Sequence, residues 1–260
     1  MAEMRLADLP YALKENVLED SQDFVAFLGH CIAHGAKSKS QNFQDIWALY
    51  ENSFETDLIY VEFGATDGIT GSNTYLLQKD YHWRGLLAEP NPIWYEALYK
   101  NRTGEYGEPK IVEKAVWTDS GKDLTFLSPT ESDLGTIQGY GENDEHAEKR
   151  DGSPTITVKS VGLAHMLMDK FSWYLENESY TLDISYMSVD TEGSEYDILK
   201  AYFENKYSKW FNINCITVEH NYNPDTRKNI RDLMEANGYV NKFPEISRWD
   251  DFWKKIEKVD

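Results

Sequence analysis

Little in this chain ties it to an oxidising compartment, a membrane or a nucleic acid. Cysteine occurs twice in 260 residues, at Cys31 and Cys215, which is too few for a disulfide framework and suits a reducing compartment. No apolar run approaches the ~20 residues that span a bilayer, and the opening Met1-Ala2-Glu3-Met4-Arg5 has no apolar signal core. The expected address is therefore cytoplasmic. Basic side chains are outnumbered, 26 Lys and Arg against 45 Asp and Glu, for a net charge of −19. With no basic stripe to override that charge, a phosphate backbone or an anionic membrane would be repelled, so the chain is expected to bind no nucleic acid. A small acceptor responds to the local site more than to the net charge, and charge alone names none. Repeats and low-complexity tracts are also missing.

What is present is enough apolar material, 41% of residues, for one sizeable core. Phe24, Phe27, Leu28, Cys31 and Ile32 recur at helical spacing up to Gly35, and Phe43, Ile46, Trp47 and Tyr50 form a second such face. Residues 1–56 therefore read as an N-terminal helical extension to a domain over 57–260. From Leu58 onward, apolar runs at Leu58–Phe63, Gly85–Ala88, Ile111–Trp117, Ile184–Val189 and Ile213–Val218 alternate with helical patterns. Such alternation predicts an α/β fold, a mostly parallel central sheet with helices on both faces. Ser72, Asn91-Pro92, Ser194 and Asn223-Pro224 read as helix starts, and Gly238 as a helix end. Residues 128–154, rich in Gly and acids, break the rhythm and read as a surface loop, either a mobile lid over a site or a disordered stretch.

The most informative segment is Val61-Glu62-Phe63-Gly64-Ala65-Thr66-Asp67-Gly68, a strand end entering a glycine loop. A dinucleotide-binding loop would follow G-x-G-x-x-G and offer a helix N-terminus to pyrophosphate. Here Thr66 and Ile69 stand at the second and third glycine positions, and Glu62 and Asp67 add two carboxylates. A unit charge pair 4 Å apart at an effective dielectric near 20 is worth ~4 kcal/mol, so the acids bias the loop toward a cationic ligand. S-adenosylmethionine, with its sulfonium and ammonium groups, meets that demand. Glu62, Gly64, Ala65, Asp67, Gly68, Ser72, Asn73 and Thr74 are the expected cradle. Glu89, about 20 residues beyond the loop and followed by Pro90, is the expected acceptor of the ribose hydroxyls. Ala115-Val116 is expected at the adenine edge, and Asp190 among the cofactor-binding residues.

Together these segments, with Lys114-Ala115-Val116 and Ser188-Val189-Asp190-Thr191-Glu192-Gly193-Ser194-Glu195, resemble the FkbM-like family of S-adenosylmethionine-dependent methyltransferases. Ser40-Gln41 with Gln44-Asp45 resembles that family's opening, and Asp250-Asp251-Phe252-Trp253 its closing strand. The match runs from about residue 40 to 255. The resemblance implies a Rossmann-like class I methyltransferase fold, S-adenosylmethionine as donor and a hydroxyl acceptor on a sugar, a glycan or a related small molecule. The acidic segment 128–154 has no assigned family counterpart.

Methyl transfer to an alcohol needs alignment of oxygen, methyl and sulfur, and help in removing the hydroxyl proton. Asp190 closes the fourth expected strand and Glu219-His220-Asn221 follow the fifth, at the sheet edge where open α/β proteins bind ligands. Two readings stay open. His220 can act as general base, oriented by Asp190 or Glu192, or Asp190, Glu219 and His220 can hold Mg²⁺ or Mn²⁺, as in metal-dependent O-methyltransferases, which this group resembles. Glu195 reads as a first-turn acid favoured by the helix dipole. His30, His34, His82, His146 and His165 read as surface or packing residues. Among Tyr140, Trp173, Tyr174 and Tyr222, which could stack on a sugar, Tyr222 stands out by its place at a strand end. Nitrogen or protein acceptors, and a non-catalytic binding module on the same fold, are the competing functions. Oligomeric state is not legible.

Overall fold

The computed structural model describes residues 21–104, 108–129, 134–140, 147–172, 181–244 and 247–256. In chain order they form α1 (Ser21–His34), α2 (Gln44–Glu51), β1 (Ile59–Phe63), α3 (Tyr75–Tyr81), β2 (Arg84–Ala88), α4 (Pro92–Arg102) and β3 (Lys110–Val112). There follow β4 (Ala115–Trp117), β5 (Asp123–Leu127), β6 (Thr136–Ile137), the single-turn α5 (Ala147–Arg150), β7 (Thr155–Gly162) and α6 (Leu163–Phe171). The chain closes with β8 (Leu182–Val189), α7 (Glu195–Glu204), β9 (Phe211–Glu219), α8 (Pro224–Ala236), β10 (Tyr239–Lys242) and β11 (Asp250–Lys255).

Seven strands build the main sheet in the order β10-β11-β9-β8-β1-β2-β3. The strands from β9 through β3 run parallel, while β11 is antiparallel to both of its neighbours. The central strands are buried on both faces, which is why they read as continuous apolar runs. Val61, Phe63, Met187, Val189, Ile216 and Val218 face one core with α6, α7 and α8. Tyr60, Leu87, Tyr186, Cys215 and Phe252 face another with α1, α2, α3 and α4. This doubly wound Rossmann-like arrangement is the one the alternating pattern predicts. Cys31 and Cys215 are both free and buried. Among the described residues, no helix is long and apolar enough to cross a membrane.

The run Ile111–Trp117 proves to be two strands. The chain leaves the main sheet at the exposed Glu113-Lys114 pair, and β4 joins a second sheet ordered β4-β7-β5-β6, with β4 parallel to β7 and the other pairings antiparallel. Much of the expected loop 128–154 belongs to this second unit. Its described residues carry β6 and α5, and β5 and β7 flank it.

Helix starts follow local chemistry. Asn91 accepts from the Ile93 amide and Asn223 from the amides of Asp225 and Thr226, each ahead of a proline at the first turn. Ser72 caps from just upstream, its hydroxyl accepting from the Thr74 and Tyr75 amides. Ser194 precedes α7 without a side-chain cap bond. Glu195 is the first-turn acid expected, and it is also buried, accepting from the Thr191 and Gly193 amides and the Thr191 hydroxyl, which shapes the turn itself.

The segment before α2 is shaped by one buried acid. Asp45 accepts from the hydroxyls of Ser38 and Ser40, both at 2.7 Å, and from the amides of Lys39 and Ile46. Asp45→Ala would orphan those donors, at about 1–3 kcal/mol for a buried group left unmade. It should lower the urea midpoint accordingly, and an unchanged midpoint would show that water replaces the carboxylate.

Candidate functional site

The carboxyl ends of the parallel strands open onto a cavity of ≈ 1230 Å³, beyond the ~300–1,000 Å³ usual for one small ligand. Strand register decides who meets there. Phe63 pairs with Ala88 and Val189, and Val189 with Val218, so the residues just beyond them, Gly64, Glu89, Asp190 and Glu219, reach the edge side by side.

The glycine loop forms one wall. Gly64 has φ +77°, and a Cβ there would lie 1.8 Å from the carbonyl oxygen of Asp190, so only glycine lets β1 and β8 end this close together. Gly68, at φ +75°, presses instead on Leu98 and Arg102 of α4. Glu62 faces inward from β1, accepting from the Asn73 amide (2.7 Å) and the hydroxyls of Ser72 and Thr74. The fully buried Arg102 lies 3.8 Å from it. Burial pushes the Glu62 carboxyl up, while Arg102, Thr74, Asn73 and Ser72 pull it back. Glu89 is 3% exposed. One of its oxygens accepts from the Thr66 amide (2.9 Å) and the other from the Asn91 amide (2.8 Å), which fixes the carboxylate and leaves lone pairs directed to the cavity. Its burial raises it to about 7.

Of the expected cofactor residues, Glu62, Gly64, Ala65, Ser72, Asn73, Glu89, Pro90, Ala115, Val116 and Asp190 line the cavity. Three do not. Asp67 turns back on its own loop and accepts from the Ile69 and Thr70 amides. Gly68 and Thr74 lie behind the wall, against Arg102.

The far wall is acidic. Oxygens of Asp190, Glu192 and Glu219 lie within 4.8 Å of one another. Glu192, at φ +60°, is held on three sides: Arg150 of α5 forms an ion pair with its carboxylate, the Thr136 hydroxyl donates to its carbonyl oxygen, and Asn221 approaches the same carboxylate at 3.4 Å. Glu219 is 5% exposed, and its Oε2 has no hydrogen-bond partner. Burial first, then Asp190, Glu192, Glu195 and Asp250, pushes its carboxyl well above the usual range.

His220, expected as base or metal ligand, is not part of this wall. Asn221 and Tyr222, both in the left-handed region, turn the chain after β9, and the imidazole points away to Asp251, with Nε2 3.9 Å from a carboxylate oxygen. Nδ1 accepts from the Tyr222 amide. Arg227 and Ser247 already occupy the Asp251 carboxylate. Burial lowers the imidazole to about 4, with Arg227 adding to the effect and Asp251 opposing it. The ring is buried and outside the cavity lining, so the structure does not bring it together with Asp190, Glu192 and Glu219.

Several wall residues escaped the sequence reading. Trp94 and Trp249 line the cavity, Trp249 beside Tyr222, which is 49% exposed. Lys39 comes from the Asp45-ordered segment, and Leu134, Gly135, Ile137 and Lys149 from the second sheet and α5. Tyr140 instead donates to Asp197 at 2.6 Å. His30 and His34 stack near Phe54, and His165 meets Tyr207 edge-on, as packing residues do. The expectations at His146, Trp173 and Tyr174 lie outside the described residues.

Numbered within the main sheet, the strands run 3-2-1-4-5-7-6 with the seventh reversed. With a glycine loop after the first and an acid after the second, these are the marks of the class I methyltransferases. A family model described as "Methyltransferase FkbM domain" matches residues 62–240, and the chain belongs to that family. No curated protein matches it. Among solved structures it is similar to a human methyltransferase 10 domain containing protein, at 9% identity and TM-score 0.44, over 93% of this chain and 99% of that one. It is also similar to the N-terminal domain of human METTL16, at 10% identity and TM-score 0.41, over 82% and 68%. A third is M. capricolum TrmK in complex with S-adenosyl-homocysteine, at 11% identity and TM-score 0.39, over 82% and 68%.

Proposed function

We propose that this protein transfers the methyl group of S-adenosylmethionine to a hydroxyl of a sugar, glycan or related small molecule. The observation that carries this reading is one cavity with the Gly64 loop and Glu89 towards one end, Glu192 and Glu219 towards the other, and Asp190 between them. The residues present fit the donor. Glu89 has lone pairs for two ribose hydroxyls, the loop from Gly64 to Thr66 brings backbone close, and Ala115-Val116 offer an apolar edge for an adenine. When bound, the donor supplies an electrophilic methyl on sulfur.

Asp190, following Val189 at the end of β8 and packed by its backbone against Gly64, stands where the two halves of the cavity meet. In this reading it takes the proton as the acceptor oxygen bonds to the methyl carbon and the carbon–sulfur bond breaks, its electron pair staying on sulfur. Glu192 helps orient that hydroxyl. Tyr222 and Trp249, 6.2 Å apart at their ring centroids, offer an aromatic corner for a sugar face.

The test is calorimetric titration with S-adenosylhomocysteine, with NAD as control, on the wild type and Glu89→Ala. Micromolar binding of S-adenosylhomocysteine alone is expected. Loss of a charge-assisted bond of about 1.5–3 kcal/mol predicts affinity weakened roughly 10- to 150-fold in the variant. No binding by the wild type would overturn the methyltransferase reading, and an unchanged affinity in Glu89→Ala would remove Glu89 from the ribose role.

A further inference from the structure

The acidic wall has a geometry of its own. Three oxygens no more than 4.8 Å apart leave a point no farther than about 2.8 Å from all of them, within a few tenths of the ~2.3–2.6 Å of Ca²⁺–oxygen contacts and about 0.7 Å above the ~2.0–2.1 Å of Mg²⁺. The three come from two neighbouring strand ends, Asp190 and Glu192 after β8 and Glu219 at the end of β9. The parallel β8/β9 ladder sets the spacing of Asp190 and Glu219, and contacts with Arg150, Thr136 and Asn221 fix Glu192 in the turn that follows β8. Glu219 Oε2 is buried without a hydrogen-bond partner, on a side chain that lines the cavity and belongs to the trio. A buried carboxylate oxygen left unmade is costly, and a hard cation is the ligand that three converging oxygens satisfy best.

We infer that Asp190, Glu192 and Glu219 form a divalent cation site of the magnesium or manganese class, with the cavity side open to water or to the acceptor. The set excludes the His220 of the sequence expectation and takes Glu192 in its place. Arg150, paired with Glu192, helps fix that carboxylate and moderates the total charge. The role of the ion rests on the methyltransferase reading: an acceptor hydroxyl coordinated there would lose its proton more easily and be held in line with the methyl group. The existence of the site does not depend on that role.

The probe is Mn²⁺, titrated by calorimetry and by its electron paramagnetic resonance signal, with and without S-adenosylhomocysteine. The proteins are the wild type, Glu219→Gln and Asp190→Asn, each checked for a cooperative thermal transition. One Mn²⁺ per wild-type chain at submillimolar affinity is expected, weakened at least tenfold in either variant. A chain with 45 acidic residues also attracts cations diffusely, so multiple weak uptake that both variants leave unaltered would overturn the site. So would no uptake by a folded wild type, including a wild type that binds S-adenosylhomocysteine. Specific Mn²⁺ uptake without S-adenosylhomocysteine binding would instead overturn the methyltransferase reading and leave the cation site standing.

Discussion

Replacing Arg102 with methionine is expected to cost about 3–5 kcal/mol of folding stability, the penalty for removing one partner of a buried charge pair. Arg102 is fully buried at the end of α4, and its donors are spent on the walls of the site. Nε donates to Gln78, one terminal nitrogen to the Gly68 carbonyl (3.0 Å) and Ser72 hydroxyl (3.2 Å), and the other to the Tyr60 hydroxyl (2.9 Å) and Thr74. Its removal strands Glu62 and unties the loop from Gly68 to Thr74 at once. Arg102→Lys should fare little better, because a point charge cannot make the planar fork. Urea denaturation reads the loss. The double variant Arg102→Met, Glu62→Gln should recover part of it, since the orphaned charge is gone. A single-variant cost below about 1 kcal/mol would mean that water replaces the guanidinium and the network is not structural.

The second large effect is expected at Gly64. Alanine in a left-handed conformation costs about 1–2 kcal/mol in general. Here its methyl would also meet the Asp190 carbonyl at 1.8 Å, so β1 and β8 must part where donor and acceptor meet. A displacement near 1 Å at such a point costs on the order of 100-fold. Gly64→Ala should therefore lose methyl-transfer rate on the order of 100-fold, and its S-adenosylhomocysteine affinity should fall well beyond threefold. Gly71→Ala separates strain from collision: its φ is +71°, yet its Cβ would stand 3.5 Å from Gln41. It should lose a little thermal stability and keep its ligand. Affinity within threefold of wild type in Gly64→Ala would show that the strand ends yield freely.

The sheet was legible because its central strands are apolar on both faces, and the place of Glu89 on the cavity wall because it follows such a strand. The second sheet was hidden by a different pattern. Asp123-Leu124-Thr125-Phe126-Leu127 and Thr155-Ile156-Thr157-Val158 alternate between exposed and covered positions, as half-buried antiparallel strands do, and a search for continuous apolar runs passes over them. Arg102 was invisible for a related reason, since a cation in the last turn of a helix ordinarily reads as solvated. The difference at His220 is one of direction: its imidazole lies towards Asp251 and not in the cavity lining. A sequence shows which residues follow a strand, but the left-handed pair Asn221-Tyr222 decides which side chain the turn presents, and nothing in the order Glu-His-Asn-Tyr announces it.

The two sheets share no strand, and the smaller one keeps its own apolar cluster of Ala115, Phe126, Ile137 and Val158. Joined to the larger core through Val116 and Val161, it contributes lining to the cavity while standing apart from the ladder that carries Gly64, Glu89, Asp190 and Glu219. Heritable change in that annex can thus reshape the cavity wall, save at Thr136 and Arg150, which hold Glu192, and at Ala115-Val116, the proposed adenine edge. A lineage built on this plan could diversify its substrates by drift in one small sheet while the rest of the chain stays under constraint.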